Sequence, residues 1–351
     1  IDLGDGSMLI INRDNGQQLT VAAPVVTALT YCGTFRTLED HAQMLVEKLP
    51  QLQGQLNDAL KVLTQVRDGG VLLSAKTITG RLNDSAVTSG PLAPTRVFIL
   101  TCDRPAAVAR LLDTLLANDS LAVHNELFLI DDSRRADCAE ENRELVAKFN
   151  IRCAKNMQYV GATAQQQIVQ RLVAALPDDE AAIRFLIDRE RWADHKSYGL
   201  GRTMCLLLSV GYRCIVLDDD ILCRAVLPPA AESGISFGGG SNRELACFDS
   251  ELSLMQHASY ADFDPLRGHA RCLGMNLAPA MAALGEAGGN AAISEQSLRD
   301  TNAAMLNTLW ADSPILVTQC GSWGDPGVPG SSWFAHLDTR SVERILASSG
   351  G

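Results

Sequence analysis

Aromatic residues are scarce, at 5% of 351 positions. Proteins that bind single strands stack bases on aromatic side chains, so that class is disfavoured, as is an aromatic-rich lectin. A positive surplus is missing too. Lys and Arg total 30 against 41 Asp and Glu, a formal charge of −11. Binding to a phosphate backbone asks for a basic chain, so no nucleic-acid partner is expected. A local basic patch can still hold a small anion. The ten cysteines include no CxxC pair and no Cys/His pair at zinc spacing. Several lie in apolar runs, such as Cys205 in MCLLLSV and Cys214 in RCIVL, where Cys acts as a small hydrophobe. Reduced thiols in a cytoplasmic protein are the expectation. No apolar run nears the ~18 residues of a membrane span, so no transmembrane segment is expected, and no signal peptide is read. Hydrophobic residues reach 46% and charged residues 20%, a packed composition that excludes disorder throughout. At roughly 100–200 residues per domain, the length implies two domains.

The division falls at 77–94. The stretch KTITGRLNDSAVTSGPLAP is rich in small, polar and turn-forming residues and has no sustained period, which predicts a linker. Residues 1–76 form one expected unit and 95–351 the other.

In the first unit, Met8–Ile11 and Gln18–Val21 flank Asn12-Arg-Asp-Asn-Gly16, a strand–turn–strand hairpin. Three helices are predicted after it. The first covers 23–31. The second starts at Thr37, a hydroxyl cap with Asp40 three residues on, and carries Leu38, Ala42, Leu45 and Leu49 on one face. The third carries Leu56, Ala59, Leu63 and Val66 and ends at Gly69-Gly70. Val71–Leu73 is predicted as a short strand, the wing of a winged-helix-like α+β module. The run from Ile11 to Ser74 resembles the PqqD-like family, domains that bind the leader peptides of ribosomally made precursors. The resemblance implies peptide binding by strand addition to the hairpin edge. An inert scaffold and a DNA-binding winged helix are the alternatives. Residues 1–90 hold 7 basic and 9 acidic residues, which argues against DNA.

In the second unit, Thr95–Leu100 is a buried strand ending in Thr101-Cys-Asp-Arg-Pro105. Asp103 is placed to cap the next helix and Pro105 suits its first turn. That helix carries Val108, Leu111, Leu112 and Leu115. Glu126–Ile130 is a second strand, ending in Asp131-Asp132-Ser133. Strand, helix, strand at this spacing predicts a βαβ unit on a parallel sheet, with ligands beyond the carboxyl ends of the strands. No GxGxxG follows the first strand, which argues against a dinucleotide site. A helix is predicted over 161–175. Tyr198-Gly-Leu-Gly-Arg-Thr203 opens another helix, with Arg202 a fixed fork for phosphate. Tyr212–Leu217 is a strand that ends in Asp218-Asp219-Asp220. Adjacent carboxylates repel one another unless a cation compensates. Alternate residues of extended backbone face one way, so Asp218 and Asp220 are expected to share a site. Oxygen ligands of this kind suit Mg2+ or Mn2+. A solvated acidic turn is the plain alternative.

Taken together, TRVFILTCDRP, LFLIDDS and GLGRTMCLLLSVGYRCIVLDDD resemble a GT-A glycosyltransferase of the family-two type. The resemblance implies a Rossmann-like catalytic domain and a nucleotide-diphosphate sugar donor, UDP-sugar favoured. By the resemblance, Thr101, Asp103 and Arg104 match the segment after the first strand, and Asp131 or Asp132 the acidic residue on the base and ribose side. Gly199, Gly201 and Arg202 match the helix start, with Thr203 in place of the usual Asn. Asp218 and Asp220 match the DxD motif. Asp220 is then the main metal ligand, Asp218 lies nearer the ribose, and Asp219 joins the donor-binding set.

The last third is assigned to the acceptor side. Ser236–Ser241 reads as a Gly-rich lid or a plain loop. His269, between Arg267 and Arg271, reads as part of a phosphate-facing cluster or a surface loop. Trp323 is a candidate for stacking on sugar, Asp325 for general base, and Glu295 is its rival. His336 is a candidate third metal ligand. The expectation is a hexosyltransferase-like, metal-dependent enzyme acting on an acceptor such as a leader-bearing peptide. A nucleotidyltransferase of similar fold is one alternative, although TCDRP lacks the Gly-rich, Lys-bearing loop such enzymes carry. A non-catalytic peptide-binding adaptor is the other.

Overall fold

A computed structural model describes residues 1–195, 199–227, 235, 237, 246–286, 292–321, 323–324, 337 and 339–348. The chain is mixed α/β. Strands β1 (Ser7–Ile11) and β2 (Gln18–Ala22) pair antiparallel, with Ile11 opposite Gln18. The turn closes when Gly16, at φ +73°, donates its amide to the Asn12 carbonyl at 2.8 Å. Helices α1 (Ala23–Leu29), α2 (Leu38–Lys48) and α3 (Leu56–Asp68) follow. The Thr37 hydroxyl caps α2 by accepting the Asp40 amide at 3.0 Å. Ala42 and Leu45 of α2 are buried against Ala59 and Leu63 of α3.

Two expectations fail just after α3. Residues 71–73 form no strand, so the wing is missing. Leu73 packs instead beside Ile78 and Leu82. The expected linker also begins as a helix, α4 (Ala75–Leu82), and irregular backbone covers only 83–94. Ser74 caps α4 by accepting the Thr77 amide at 3.1 Å. Ile78 and Leu82, one turn apart, are both fully buried. Two apolar positions among threonines and a glycine are too few to show a period in sequence. Their burial partners lie far along the chain: Ile293, Leu298 and Leu306. The same seam holds bridges from Thr34 to Asn302 and from Phe35 to Arg299. The Asn83 side chain donates to the Ile293 carbonyl at 2.6 Å. The N-terminal elements are thus fastened to residues 293–306.

The central sheet holds β3 (Thr95–Thr101), β4 (Glu126–Asp131), β5 (Met157–Val160) and β6 (Arg213–Asp218), all parallel, in the order β5-β4-β3-β6. Alternate residues feed two cores. Val97, Ile99, Leu127 and Leu129 pack on α5 (Pro105–Leu116) and α6 (Ala136–Arg152). Phe98, Phe128 and Ile130 pack on α7 (Ala162–Ala175), α8 (Glu180–Ile187) and α9 (Leu200–Leu208). Phe98 and Phe128, opposite in register, stack at 4.9 Å between ring centroids. The C-terminal part adds a ribbon of β7 (Ala225–Leu227) and β8 (Ser259–Ala261). It also adds α10 (Glu251–Gln256), α11 (Pro265–Cys272), α12 (Leu277–Glu286), α13 (Ala303–Leu306) and α14 (Thr339–Ser348). Leu266 of α11 joins the core under α5. Among the described residues, no helix is long and apolar enough to cross a membrane. All ten cysteines are free.

Candidate functional site

β3 is the first strand of the sheet in the chain. β4 and β5 lie to one side of it and β6 to the other. The order therefore reverses between β3 and β6, and such a switch point opens a crevice beyond the carboxyl ends of the two strands. Leu100 pairs with Asp218 in register, so the loop from Thr101 to Pro105 and the run Asp218–Asp220 meet there.

β6 ends at Asp218, and Asp219 and Asp220 form a turn rather than the expected extended backbone, yet the three still alternate in exposure. Asp219 is buried, at 4% exposure, whereas Asp218 and Asp220 are exposed. The Thr101 hydroxyl, itself buried, donates to Asp219 Oδ2 at 2.7 Å. Arg104 lies 3.0 Å from Asp219 Oδ1 and 3.1 Å from Asp220 Oδ2, so one guanidinium bridges both carboxylates. Arg202 donates to Asp218 Oδ1 at 3.0 Å. Burial pushes the Asp219 carboxyl up, against the Thr101 hydrogen bond and the Arg104 charge, which both favour the ionised form. Asp219 is turned inward and fixes Thr101 and Arg104; the two outer carboxylates face solvent.

The second strand end is equally ordered. Asp131 is 1% exposed. Its Oδ1 accepts the Ser133 amide at 2.8 Å. Its Oδ2 accepts Tyr159 OH at 2.8 Å and Asn142 Nδ2 at 3.1 Å. Asp131 thereby stitches β4, α6 and β5 together and presents no free oxygen to a ligand. Asp132 accepts Gln165 Nε2 at 3.1 Å. Burial raises its carboxyl, opposed by the Gln165 hydrogen bond, the Arg189 charge and the Gly201 amide. A Cβ at Gly201 would lie 3.0 Å from Asp132 Oδ2. The glycine at the start of α9 is thus needed for close approach to Asp132.

Asp103 does not cap α5. The N-cap of that helix is Arg104, with no side-chain hydrogen bond. Asp103 sits at φ +56°, a left-handed conformation that short polar residues tolerate. This turns its carboxylate toward β4, where Oδ1 accepts the amides of Arg134 and Arg135, each at 2.9 Å. The Asp103 amide donates to Ser133 Oγ at 2.9 Å. Asp103 locks the loop after β3 to the loop after β4.

Among the described residues, no group of three or more His, Cys, Asp or Glu converges as a metal cage. Asp325 and His336 lie outside the described residues, as do Tyr198 and all of the 236–241 run except Phe237. Trp323 packs on Phe248, at 5.4 Å between centroids. Glu295 is exposed and begins the short turn Gln296–Leu298 at the seam with the N-terminal elements. His269 lies within α11 and not in a loop. Its Nδ1 meets Thr318 Oγ1 at 2.9 Å, and burial lowers its pKa. Arg271 donates to the Ala283 carbonyl at 3.0 Å.

The chain matches no protein-family model, no curated protein and no solved structure.

Sequence reasoning missed the residues that hold the site. Ser133, Asn142, Tyr159 and Gln165 supply the hydrogen bonds to the paired aspartates. Arg189 donates to the Ser133 carbonyl at 2.8 Å from the loop after α8. They are scattered from Ser133 to Arg189. The only local signal is Ser133 in DDS.

Proposed function

We propose that the chain is a metal-dependent glycosyltransferase that uses a nucleoside-diphosphate sugar and carries a peptide-binding module at its N-terminus. One observation supports the first part most. Exposed Asp218 and Asp220 meet exposed Arg202 and Arg104 in the crevice at the switch point of a parallel sheet. Two exposed carboxylates are hard oxygen donors, a donor type that fits Mg2+ or Mn2+. Asp218 and Asp220 would hold it. Such an ion supplies Lewis-acid charge that stabilises a diphosphate leaving group.

The chain's own residues do the rest. Arg104 holds Asp219 and Asp220 now, and Arg202 holds Asp218. A diphosphate would compete for both guanidinium groups and would leave Asp218 and Asp220 less committed to them. Buried Asp219 keeps Arg104 at the crevice throughout, because its second oxygen is anchored on Thr101. Asp103 and Asp131 keep the two loops still, which is preorganisation of the kind electrostatic catalysis needs.

For the second part, β1 and β2 form a two-stranded sheet. Ile1 and Leu3 already bond along the outer side of β1. Among the described residues β2 has no strand on its other side, which is where an extended peptide would add. The docking of residues 34–36 on 299–302 would hold such a peptide at a fixed distance from the crevice.

A thermal-shift screen of the protein with UDP, GDP and CDP, each with and without Mn2+, tests the proposal. A stabilisation that needs nucleoside diphosphate and metal together is expected. No stabilisation by any pair contradicts it and favours a non-catalytic adaptor.

A further inference from the structure

A cavity of about 420 Å³ opens beside the crevice, between the first turns of α5 and α6. Its volume is in the range of small-molecule sites. Arg104 is common to both, so a diphosphate held at Arg104 has its nucleoside end within reach of this cavity. Pro105, Ala106 and Ala107 supply its apolar lining. The charged lining comes from both helices: Arg110 from α5, and Arg135, Asp137 and Glu141 from the start of α6, with Asp103 of the loop after β3 turned to the Arg134 and Arg135 amides. Asp137 is paired with Arg135. Arg110 reaches only the Ala106 carbonyl of its own helix, at 3.3 Å. Among the described residues Glu141 has no hydrogen bond or ion pair. It is exposed on the second turn of α6. The cavity therefore offers the uncommitted carboxylate of Glu141 and the guanidinium of Arg110 beside an apolar lining.

An ionised carboxylate only accepts hydrogen bonds, through two oxygens side by side. Guanine presents N1–H and N2–H on one edge, which matches both oxygens at once. Uracil presents a single N3–H between two carbonyl oxygens, and both carbonyls are repelled by the carboxylate. Adenine and cytosine each set an amino group beside a ring acceptor, so one of the two contacts is lost. A guanidinium plane such as that of Arg110 also stacks well on a purine. Asp131 and Asp132, the carboxylates that the resemblance places at the base, are turned to Tyr159, Asn142 and Gln165 instead.

Resting on the proposed function, we propose that this cavity seats the nucleobase and that Glu141 selects guanine, so the donor is a GDP-linked sugar and not the UDP-sugar first expected. Arg110 stacks on the base, and Pro105 and Ala106 supply apolar contact from the same cavity.

Isothermal titration of GDP, UDP, CDP and ADP in the presence of Mn2+ tests this on wild type and on Glu141→Gln. The variant lies on an exposed helix position and keeps the side-chain length. Wild type is expected to bind GDP about tenfold or more tighter than UDP, the scale of one extra charged hydrogen bond. Glu141→Gln replaces one acceptor with a donor, and the GDP preference is expected to fall by about the same factor. Equal binding of GDP and UDP, or an unchanged preference in Glu141→Gln, overturns the assignment while leaving a nucleotide-binding enzyme in place. No binding of any of the four nucleotides overturns the proposed function beneath it.

Discussion

Replacing Thr101 with Val removes the hydroxyl that Asp219 Oδ2 accepts at 2.7 Å and keeps the shape of the side chain. Both partners are buried, Thr101 at 6% and Asp219 at 4% exposure, so water does not replace the lost bond. A hydrogen bond to a charged group contributes about 1.5–3 kcal/mol, and leaving a buried acceptor without it costs a similar amount. Thr101→Val is therefore expected to lose about 2 kcal/mol of unfolding free energy at pH 7, measured by urea denaturation. The pH dependence follows from the sign of the shift. The Asp219 carboxyl is already raised above its ordinary 3.8 in the folded protein, so the folded state holds the proton more tightly than the unfolded state. Ionisation of such a group lowers stability as pH rises through the interval between the two values. Losing the Thr101 bond raises the folded value further, because that bond favours the ionised form. The penalty of Thr101→Val should thus be largest above the folded value, shrink on acidification, and fade near and below pH 3.8. A loss under about 0.5 kcal/mol at pH 7, below any charged hydrogen bond, or a penalty that does not change with pH, refutes the role given to Asp219.

Two further substitutions probe the loops that frame the crevice. Gly201→Ala brings a methyl group to 3.0 Å from Asp132 Oδ2 and 3.2 Å from Leu100 Cδ2. Crowding of this sort costs about 1–3 kcal/mol against about 1 kcal/mol gained in helix propensity, so a net loss of about 1 kcal/mol is expected by denaturation. A stabilised variant contradicts the close approach. Asp103→Ala keeps φ +56° without a polar side chain and frees two amides. It should cost about 2–4 kcal/mol, whereas Asp103→Asn, which tolerates that backbone and still accepts, should lose under about 1 kcal/mol. Equal losses for the two variants count against the locking role.

The strands and helices nearest the crevice were legible because their signals are local. TRVFILT, ELFLID and RCIVLD are short apolar runs that end in polar residues, and the structure has them as β3, β4 and β6. The Thr37 cap was legible for the same reason. Helix α6 and strand β5 were not. The buried side of α6 includes Asn142, a polar residue whose partner Asp131 lies on another strand, so its apolar period is broken. Strand β5 has only four residues, Met157–Val160, and alternation over four residues is no signal. The wing and linker were misread because Leu73, Ile78 and Leu82 pack in a cluster with residues as distant in sequence as Ile293, Leu298 and Leu306. At the site, sequence showed which carboxylates cluster and not which way they turn. That Asp219 and Asp131 face inward depends on Thr101, Tyr159 and Asn142, which no spacing connects to them.

The central claim concerns the two outward carboxylates. Its most direct test is hydrolysis of nucleoside-diphosphate sugars, GDP- and UDP-linked, by wild type and by the Asp218→Asn, Asp220→Asn double variant, with Mn2+ or with EDTA. The account predicts turnover in wild type with metal, loss of turnover with EDTA, and none in the double variant while its denaturation midpoint stays close to that of wild type. Turnover in the double variant equal to that of wild type would contradict it.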